Sequence, residues 1–197
     1  MGRRSKDKES IESLQYIKRY HVFLELLSTE QNYIDIMFAF IRIFRDGIEA
    51  SLNDKLGPLM NKEEIKIVFG AIPDIIKIHE VIGIDLKNVV DKWNEKTELG
   101  NIFDKHVESM QKAYPAFINY YEIIKQTIEQ NEAKNMRFNA FLKIAQTNPA
   151  CNRQTLVELL IRPVQRLPSI ILLLKELLKQ TPEDSNDRYN IPSTIDN

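Results

Sequence analysis

Apolar side chains recur at helical spacing along most of the chain. From about Ser10 to Leu52 there is no proline, and one set of apolar residues is separated by three, four or seven positions: Leu27, Ile34, Met37, Ile41, Phe44 and Ile48. This spacing places the set on one helix face and predicts one long helix. Further apolar residues on its other faces, at 33, 36, 38, 40 and 43, predict that its second half lies inside a bundle.

The pattern predicts further helices after a loop at residues 54–61. Asn61 is a candidate N-cap, with acidic residues in the turn that follows it. The next helical pattern runs from Ile65 to about Trp93, and Pro73 predicts a kink or a restart within it. Three more helical segments are predicted, at 101–113, at 116–130 after a division at Pro115, and at 135–147.

The last helical region has the sharpest local signals. Thr155 and Glu158 fit a capping box ahead of an apolar run. Pro163 and Pro168 within that run predict a bend or a restart, and Thr181-Pro182 predicts its end. Residues 182–197 have no apolar period and are predicted to be disordered.

Composition narrows the class of protein. The chain has 197 residues, enough for one domain, with 27 basic and 28 acidic side chains for a net charge of -1. Such a balance excludes a dedicated nucleic-acid binder, which carries a strongly basic face. Six glycines and eight prolines are too few for an all-β sandwich, so we expect an all-α fold. A single cysteine excludes a disulfide framework and a cysteine-based zinc site.

Motifs for covalent chemistry are absent. The sequence has no phosphate-binding glycine loop, no nucleophile elbow and no zinc-protease motif. Its histidines, His21, His79 and His106, lack metal-ligand spacing, and a lone cysteine such as Cys151 is usually inert. We therefore predict no cofactor and no covalent catalysis.

Signals for membranes or secretion are also missing. The longest strongly apolar run, Leu167 to Leu174, is far shorter than the roughly 18 residues of a membrane span. The N-terminus lacks the apolar core of a secretory signal, so we expect a soluble intracellular protein without membrane insertion. Its basic residues Arg3, Arg4, Lys6 and Lys8 fit either a localisation or lipid-contacting patch or a plain solvated linker.

One carboxylate interrupts the apolar stripe of the first helix. Glu30 falls on the face that carries Leu27 and Ile34. An isolated buried charge is too costly to persist, so this carboxylate must be capped or paired inside the bundle, or turned toward a partner. The residues alone leave these alternatives open.

Three sequence blocks resemble those of the Dbl-homology (RhoGEF) domain, the exchange-factor module for Rho-family GTPases. They are Glu25–Met37, Ile67–His79 and Leu159–Leu177, and they occur in the family's order within residues 20–181. Segments 100–103, 140–143 and 166–169 look closest to the exchange factors of cytokinesis.

The resemblance implies an elongated all-helical bundle whose first and third blocks form the GTPase-binding face. Glu30 matches the glutamate that contacts switch I of the GTPase, and Gln165 matches a third-block position that faces it. Ser169 stands where the family usually has Lys or Arg, while Arg162 and Arg166 either orient the surface or pair with carboxylates of the bundle. The predicted GTPase-binding set is Glu30, Glu158, Arg162, Gln165, Arg166 and Ser169.

The implied activity is guanine nucleotide exchange on a Rho-family GTPase, most simply Rho, by a monomer in cytokinesis and actin control. The resemblance also implies a cytoplasmic protein that reaches the nucleus and the cleavage furrow. A non-catalytic helical scaffold is the alternative.

The expected organisation is a basic extension at 1–19, the Dbl-homology domain at 20–181 and the tail at 182–197. The family's helix after the third block is expected to be missing. That absence would expose Leu173, Leu174 and Leu177 and leave this chain weakly active or inactive by itself.

Overall fold

A computed structural model describes the backbone of residues 2–196 and the side chains of residues 12–196. The predicted basic cluster at Arg3, Arg4, Lys6 and Lys8 lies outside the described side chains. All regular structure in the described part is helical, which confirms the all-α prediction. The α-helices are α1 Gly2–Phe40, α2 Asp46–Ala50, α3 Lys62–Phe69, α4 Ile72–Val90, α5 Gly100–Asp104, α6 Val107–Ile118, α7 Tyr121–Lys134, α8 Met136–Ala145, α9 Leu156–Lys179 and α10 Asp187–Asp196.

The predicted long first helix is present, with one local change of winding. Between α1 and α2 the segment Ile41–Arg45 is π-helical, and the Asp46 N–H donates to the Ile41 carbonyl. A short 3₁₀ turn at Ser51–Asn53 ends the helical path. Its apolar faces are buried as expected at most positions, but Phe38 is exposed.

Helix starts follow the predicted caps. The Asn61 side chain accepts a hydrogen bond from the Glu64 N–H at 2.9 Å, and the Glu64 carboxylate accepts from the Asn61 N–H at 2.8 Å. The predicted interruption near Pro73 is a restart, because α3 ends at Phe69 and Pro73 lies in the first turn of α4, where a missing N–H costs nothing.

The predicted division at Pro115 is wrong, and of the bend or restart predicted at Pro163 and Pro168 the restart does not occur. Pro115 lies within α6, and the division between α6 and α7 falls at residues 119–120 instead. Helix α9 is continuous through Pro163 and Pro168. An interior proline costs a helix about 3 kcal/mol. In α9 the buried leucines on either side, Leu160 and Leu174 among them, offset that loss.

The predicted disorder of the C-terminal region is wrong where the structure describes it. Helix α10, which has ten residues, stands where a disordered tail was expected, while the expected absence of a long helix after the third block stays a prediction. Hydrophobic periodicity did not predict α10 because its fully buried residues are one apolar side chain, Ile191, and one acidic side chain, Asp187. A single buried apolar residue gives no repeating pattern. Leu174 and Leu177 are buried rather than exposed, and the leucine that faces solvent on α9 is Leu172, 70% exposed.

The chain forms two compact units. Unit 1 comprises the residues up to Gln31, the segment Glu80–Glu108 and the residues from Arg166 onward. Within it α10 packs on α5. Its core consists of Phe23, Leu26, Ile82, Leu86, Leu99, Ile102, Phe103, Ile170, Leu174, Leu177 and Ile191.

Unit 2 comprises Asn32–His79 and Ser109–Gln165. Here α3 packs on α7, and α7 packs on α8. The Phe40 ring contacts those of Phe44 and Phe69, and Gly47 lets the Phe141 ring approach to within 2.8 Å of where a Cβ would stand. In the described part of the chain, no helix is both long and apolar enough to cross a membrane.

Candidate functional site

Glu30 and Arg166 form a buried ion pair in unit 1. The Glu30 Oε2 accepts from Arg166 Nη2 at 2.6 Å and from Arg166 Nε at 3.0 Å. Arg166 Nη1 donates to the Thr29 hydroxyl at 3.3 Å. Glu30 has no exposed surface, and Arg166 is 5% exposed. The pair thus joins the first and the third sequence blocks through their most buried charged side chains.

Helical spacing explains where the pair lies. On α1 the fully buried Phe23 and Leu26 precede Glu30 by seven and four positions, which places all three on one face. On α9 the buried Ile170 follows Arg166 by four positions. Both charged side chains therefore point into the apolar interior of unit 1, where each compensates the charge of the other.

The electrostatics favour keeping the pair intact. Removing one partner of a buried ion pair costs about 3–5 kcal/mol, because the other charge stays buried without compensation. Of the alternatives that the sequence left open for Glu30, the structure shows internal pairing. The same alternative holds for Arg166, which pairs with a bundle carboxylate.

The other predicted residue in unit 1 is Ser169 on α9, which is partly exposed. The sequence pattern did not predict that Leu172, three positions after Ser169, is exposed. Leu172 projects into solvent as the most exposed large apolar residue of α9. An exposed leucine in a stretch that is otherwise apolar cannot be told from core residues by periodicity alone.

Unit 2 holds the remaining predicted residues, all on the first half of α9. Glu158 completes the predicted capping box: its carboxylate accepts from the Thr155 N–H at 2.7 Å, and the Thr155 hydroxyl accepts from the Glu158 N–H at 3.2 Å. Hydrogen bonding from the Thr155 backbone N–H, and secondly from the Thr155 side chain, lowers the pKa of the Glu158 carboxyl. Arg162 donates to the Gln154 side chain at 2.9 Å, and Gln165 is exposed.

A second buried ion pair in unit 1 was not predicted. Arg19 Nη2 donates to Asp187 Oδ2 at 2.7 Å, with Arg19 2% exposed and Asp187 fully buried. Asp187 also accepts hydrogen bonds from the backbone N–H groups of Leu99 and Gly100. The pair is separated by 168 positions in sequence, so no local pattern reveals it.

Among the described residues, side chains suited to metal or nucleophilic chemistry are not gathered into a site. The described residues contain no cluster of His, Cys, Asp and Glu that could hold a metal ion. His79 Nε2 lies 2.6 Å from the Tyr114 hydroxyl, and His106 Nε2 lies 3.1 Å from Asp85 Oδ2. Burial raises the pKa of the Cys151 thiol, which disfavours the reactive thiolate.

Two known proteins are similar to this chain in sequence. Human Protein ECT2 is 44% identical over 177 residues, which cover 90% of this chain and 19% of that protein. Mouse Rho guanine nucleotide exchange factor 10 is 28% identical over 192 residues, 95% of this chain and 14% of that protein. The chain thus spans less than a fifth of the length of either relative.

The fold also matches solved structures. The complex of PDZ-RhoGEF DH/PH domains with GTP-gamma-S activated RhoA gives a TM-score of 0.83 at 24% identity, over 92% of this chain and 51% of that chain. The RhoGEF domain model matches residues 22–197, which include α9 and α10 as well as Glu30. The match confirms the resemblance that the three blocks indicated: the chain belongs to the RhoGEF domain family.

Proposed function

We propose that this chain is an exchange domain that accelerates release of guanine nucleotide from a Rho-family small GTPase, Rho being the first candidate. The observation that carries the proposal is the RhoGEF domain match over residues 22–197. The printed name of one relative, Rho guanine nucleotide exchange factor 10, supports the same activity. Solved DH/PH domains of this fold bind RhoA in their crystals.

Exchange of this kind needs binding energy rather than covalent chemistry. A GTPase that holds its nucleotide with nanomolar to picomolar affinity has about 12 to 16 kcal/mol of binding free energy. A protein that binds the nucleotide-free state best must weaken nucleotide binding by the same factor, through linkage. Remodelling of the switch segments is the usual structural means. The magnesium ion and the nucleotide belong to the GTPase.

In this proposal Glu30 changes partners. Its carboxylate is fully buried against Arg166 in the free chain, so a contact with the GTPase requires Arg166 to release it. A side-chain partner makes such an exchange feasible, because a guanidinium can rotate away without a change in the backbone. Binding would then repay the lost pair with a new charge-assisted hydrogen bond.

Exposed residues of the third block complete the proposed contact set. Gln165 is exposed and offers both a donor and an acceptor. Ser169 supplies a neutral hydroxyl where relatives of the family place a cation, which makes it a candidate determinant of GTPase choice. Arg162, held by Gln154, and Glu158, held by its capping box, are assigned supporting roles.

The finer assignment is to cytokinesis and actin control. It is supported by segments 100–103, 140–143 and 166–169, which look closest to the exchange factors of that process. The identity of 44% to Protein ECT2 is in keeping with that subgroup.

The test is release of a fluorescent nucleotide from purified Rho, Rac and related GTPases. The chain is compared with a form extended beyond residue 197, since weak activity of the chain by itself is part of the expectation. Acceleration of at least one GTPase is the expected result. Gln165→Ala should slow release, while the matched control Gln130→Ala, an exposed glutamine on α7, should not. If neither form accelerates any GTPase, the proposal fails.

One observation favours the alternative, a non-catalytic scaffold. Glu30 is paired inside unit 1 and presents no surface to a partner in the free chain. A scaffold would bind a partner without changing nucleotide release. It would also show the same partner affinity after Gln165→Ala as before it.

A further inference from the structure

The carboxylate of Asp187 is the centre of a buried polar network. Its Oδ1 accepts from the Gly100 N–H at 2.9 Å and from the Leu99 N–H at 3.0 Å. Its Oδ2 accepts from the Leu99 N–H at 2.8 Å and from Arg19 Nη2 at 2.7 Å. Three groups therefore converge on one carboxylate at the first residue of α10.

Arg19 ties this network to α1. Its Nη2 donates both to Asp187 and to the Thr97 carbonyl, the latter at 2.7 Å. Its guanidinium carbon lies 5.4 Å from the centre of the Trp93 ring, within the range of a cation–π contact. The Trp93 ring also stacks on Phe23, so this arginine is fixed by aromatic packing as well as by hydrogen bonds.

The body of α10 fits α5 closely. A Cβ on Gly100 would lie 2.4 Å from the Asn190 Cβ, so only glycine permits this approach. The Thr194 hydroxyl contacts the Gly100 carbonyl and the Asp104 carboxylate. Ile191 is fully buried, whereas Tyr189 on the outer side is 80% exposed.

We propose that Arg19 and Asp187 are positioning residues for exchange, which act by holding α10 in one place on α5. The proposal rests on the proposed function. It assigns these residues no contact with the GTPase.

The nature of these contacts favours a role in fixing the position of α10, rather than only in attaching α10 to unit 1. Ile191 alone could attach α10 through apolar burial, which is non-directional. A buried carboxylate with three directed donors instead permits one geometry. The Nε of Arg19 is buried without a hydrogen-bond partner, so the network is held for its geometry at some cost in stability. The helix so fixed lies in the same unit as the Glu30–Arg166 pair and within the residues that match the family.

Two variants displace α10 by independent routes. Asp187→Asn replaces an acceptor oxygen with an NH₂ group that faces N–H donors. Gly100→Ala leaves Asp187 and Arg19 unchanged but pushes Asn190 away. Asp184→Asn, at an exposed acid in the preceding turn, is the matched control. Amide hydrogen exchange, measured without any GTPase, shows how firmly α10 is held in place. The amides of α7 serve as an internal reference.

We expect faster amide exchange in α10 and roughly tenfold slower nucleotide release for both variants, because a displacement that begins far from the contact can misplace the contact groups of the same unit, with effects of up to about a hundredfold. Asp184→Asn should match the wild type in both assays. Unchanged α10 amides in Asp187→Asn would overturn the proposal. Faster α10 amides with unchanged nucleotide release would overturn the role in exchange.

A cross-link separates placement from stability. Asp104→Cys with Thr194→Cys introduces two thiols at side chains in contact, and a short bifunctional thiol reagent can bridge them, while Cys151 is buried. In the Asp187→Asn background the bridge should restore nucleotide release, although the Asp187 charge is still missing. Failure of the bridge to restore release would contradict positioning. If neither the wild-type chain nor its extended form accelerated nucleotide release, the proposed function and the exchange role would both be refuted, and the α10 amides alone would then decide placement.

Discussion

Two buried carboxylates in unit 1 are held in different ways. Glu30 on α1 receives two hydrogen bonds from the Arg166 side chain on α9. Asp187 at the start of α10 receives the Arg19 side chain and, in addition, two backbone N–H groups. Side chains rotate, whereas the N–H groups of Leu99 and Gly100 are fixed by the chain. We propose that Asp187 is the fixed anchor of α10, whereas the side-chain donor that holds Glu30 can be replaced when a GTPase binds.

The largest expected effect comes from removing the anchor. Asp187→Ala leaves the Arg19 charge and two N–H groups buried without an acceptor, so we expect a loss of about 3–5 kcal/mol in the free energy of unfolding. Urea denaturation measures it, with Asp184→Ala as the control. A loss below about 1 kcal/mol would show that α10 contributes little to unit 1.

Double replacements test whether the two buried ion pairs differ in this way. Glu30→Met with Arg166→Met removes both charges of a side-chain pair, and well-packed apolar replacement of such a pair is often neutral. We expect this double variant to recover most of the stability that Glu30→Met alone loses. Arg19→Met with Asp187→Met should recover far less, because the Leu99 and Gly100 amides still lack an acceptor. Double-mutant cycles in urea test both statements, and equal recovery would remove the distinction.

A moderate effect is expected at the start of α9, where Thr155 and Glu158 cap the helix. Thr155→Ala should cost about 1 kcal/mol. Glu158→Gln keeps the capping geometry but not the charge, so it tests whether the charge itself serves exchange. The pKa of Glu158 is lowered from 4.5 in the fold, so its stabilising effect is present above pH 4.5 and is lost as the pH falls through the folded pKa. Thermal unfolding of the wild type and Glu158→Gln from pH 7 to pH 3 should converge at the acid end.

The smallest effect on stability is expected at Gln165. Its side chain is exposed, so Gln165→Ala should change the free energy of unfolding by less than about 0.5 kcal/mol. Nucleotide release should nevertheless slow. A variant that loses stability and activity together would place Gln165 in the fold rather than at the contact.

Local signals in the sequence predicted much of the fold. The caps at Asn61 and Thr155 and the restart near Pro73 are encoded within a few residues, and the structure contains all of them. The prolines of α9 misled the prediction because the burial that offsets them involves residues far away in sequence. Helix α10 was missed for the same reason: Asp187 is stabilised by Arg19, Leu99 and Gly100.

The candidate site was predicted only in part. The apolar stripe of α1 showed that Glu30 needs a partner, but spacing cannot name that partner. Arg166, 136 positions away, supplies the charge, and the pair also explains why both residues are buried.

The most direct test is fluorescent-nucleotide release from Rho with the wild type, Glu30→Gln and the control Asp184→Asn, each shown to be folded by circular dichroism. Glu30→Gln preserves shape and one acceptor while removing the charge. In the form that accelerates release, either this chain or its extension, we expect the wild type and the control to be active and Glu30→Gln to lose nearly all of that acceleration. Full activity of Glu30→Gln would contradict the exchange of partners at Glu30.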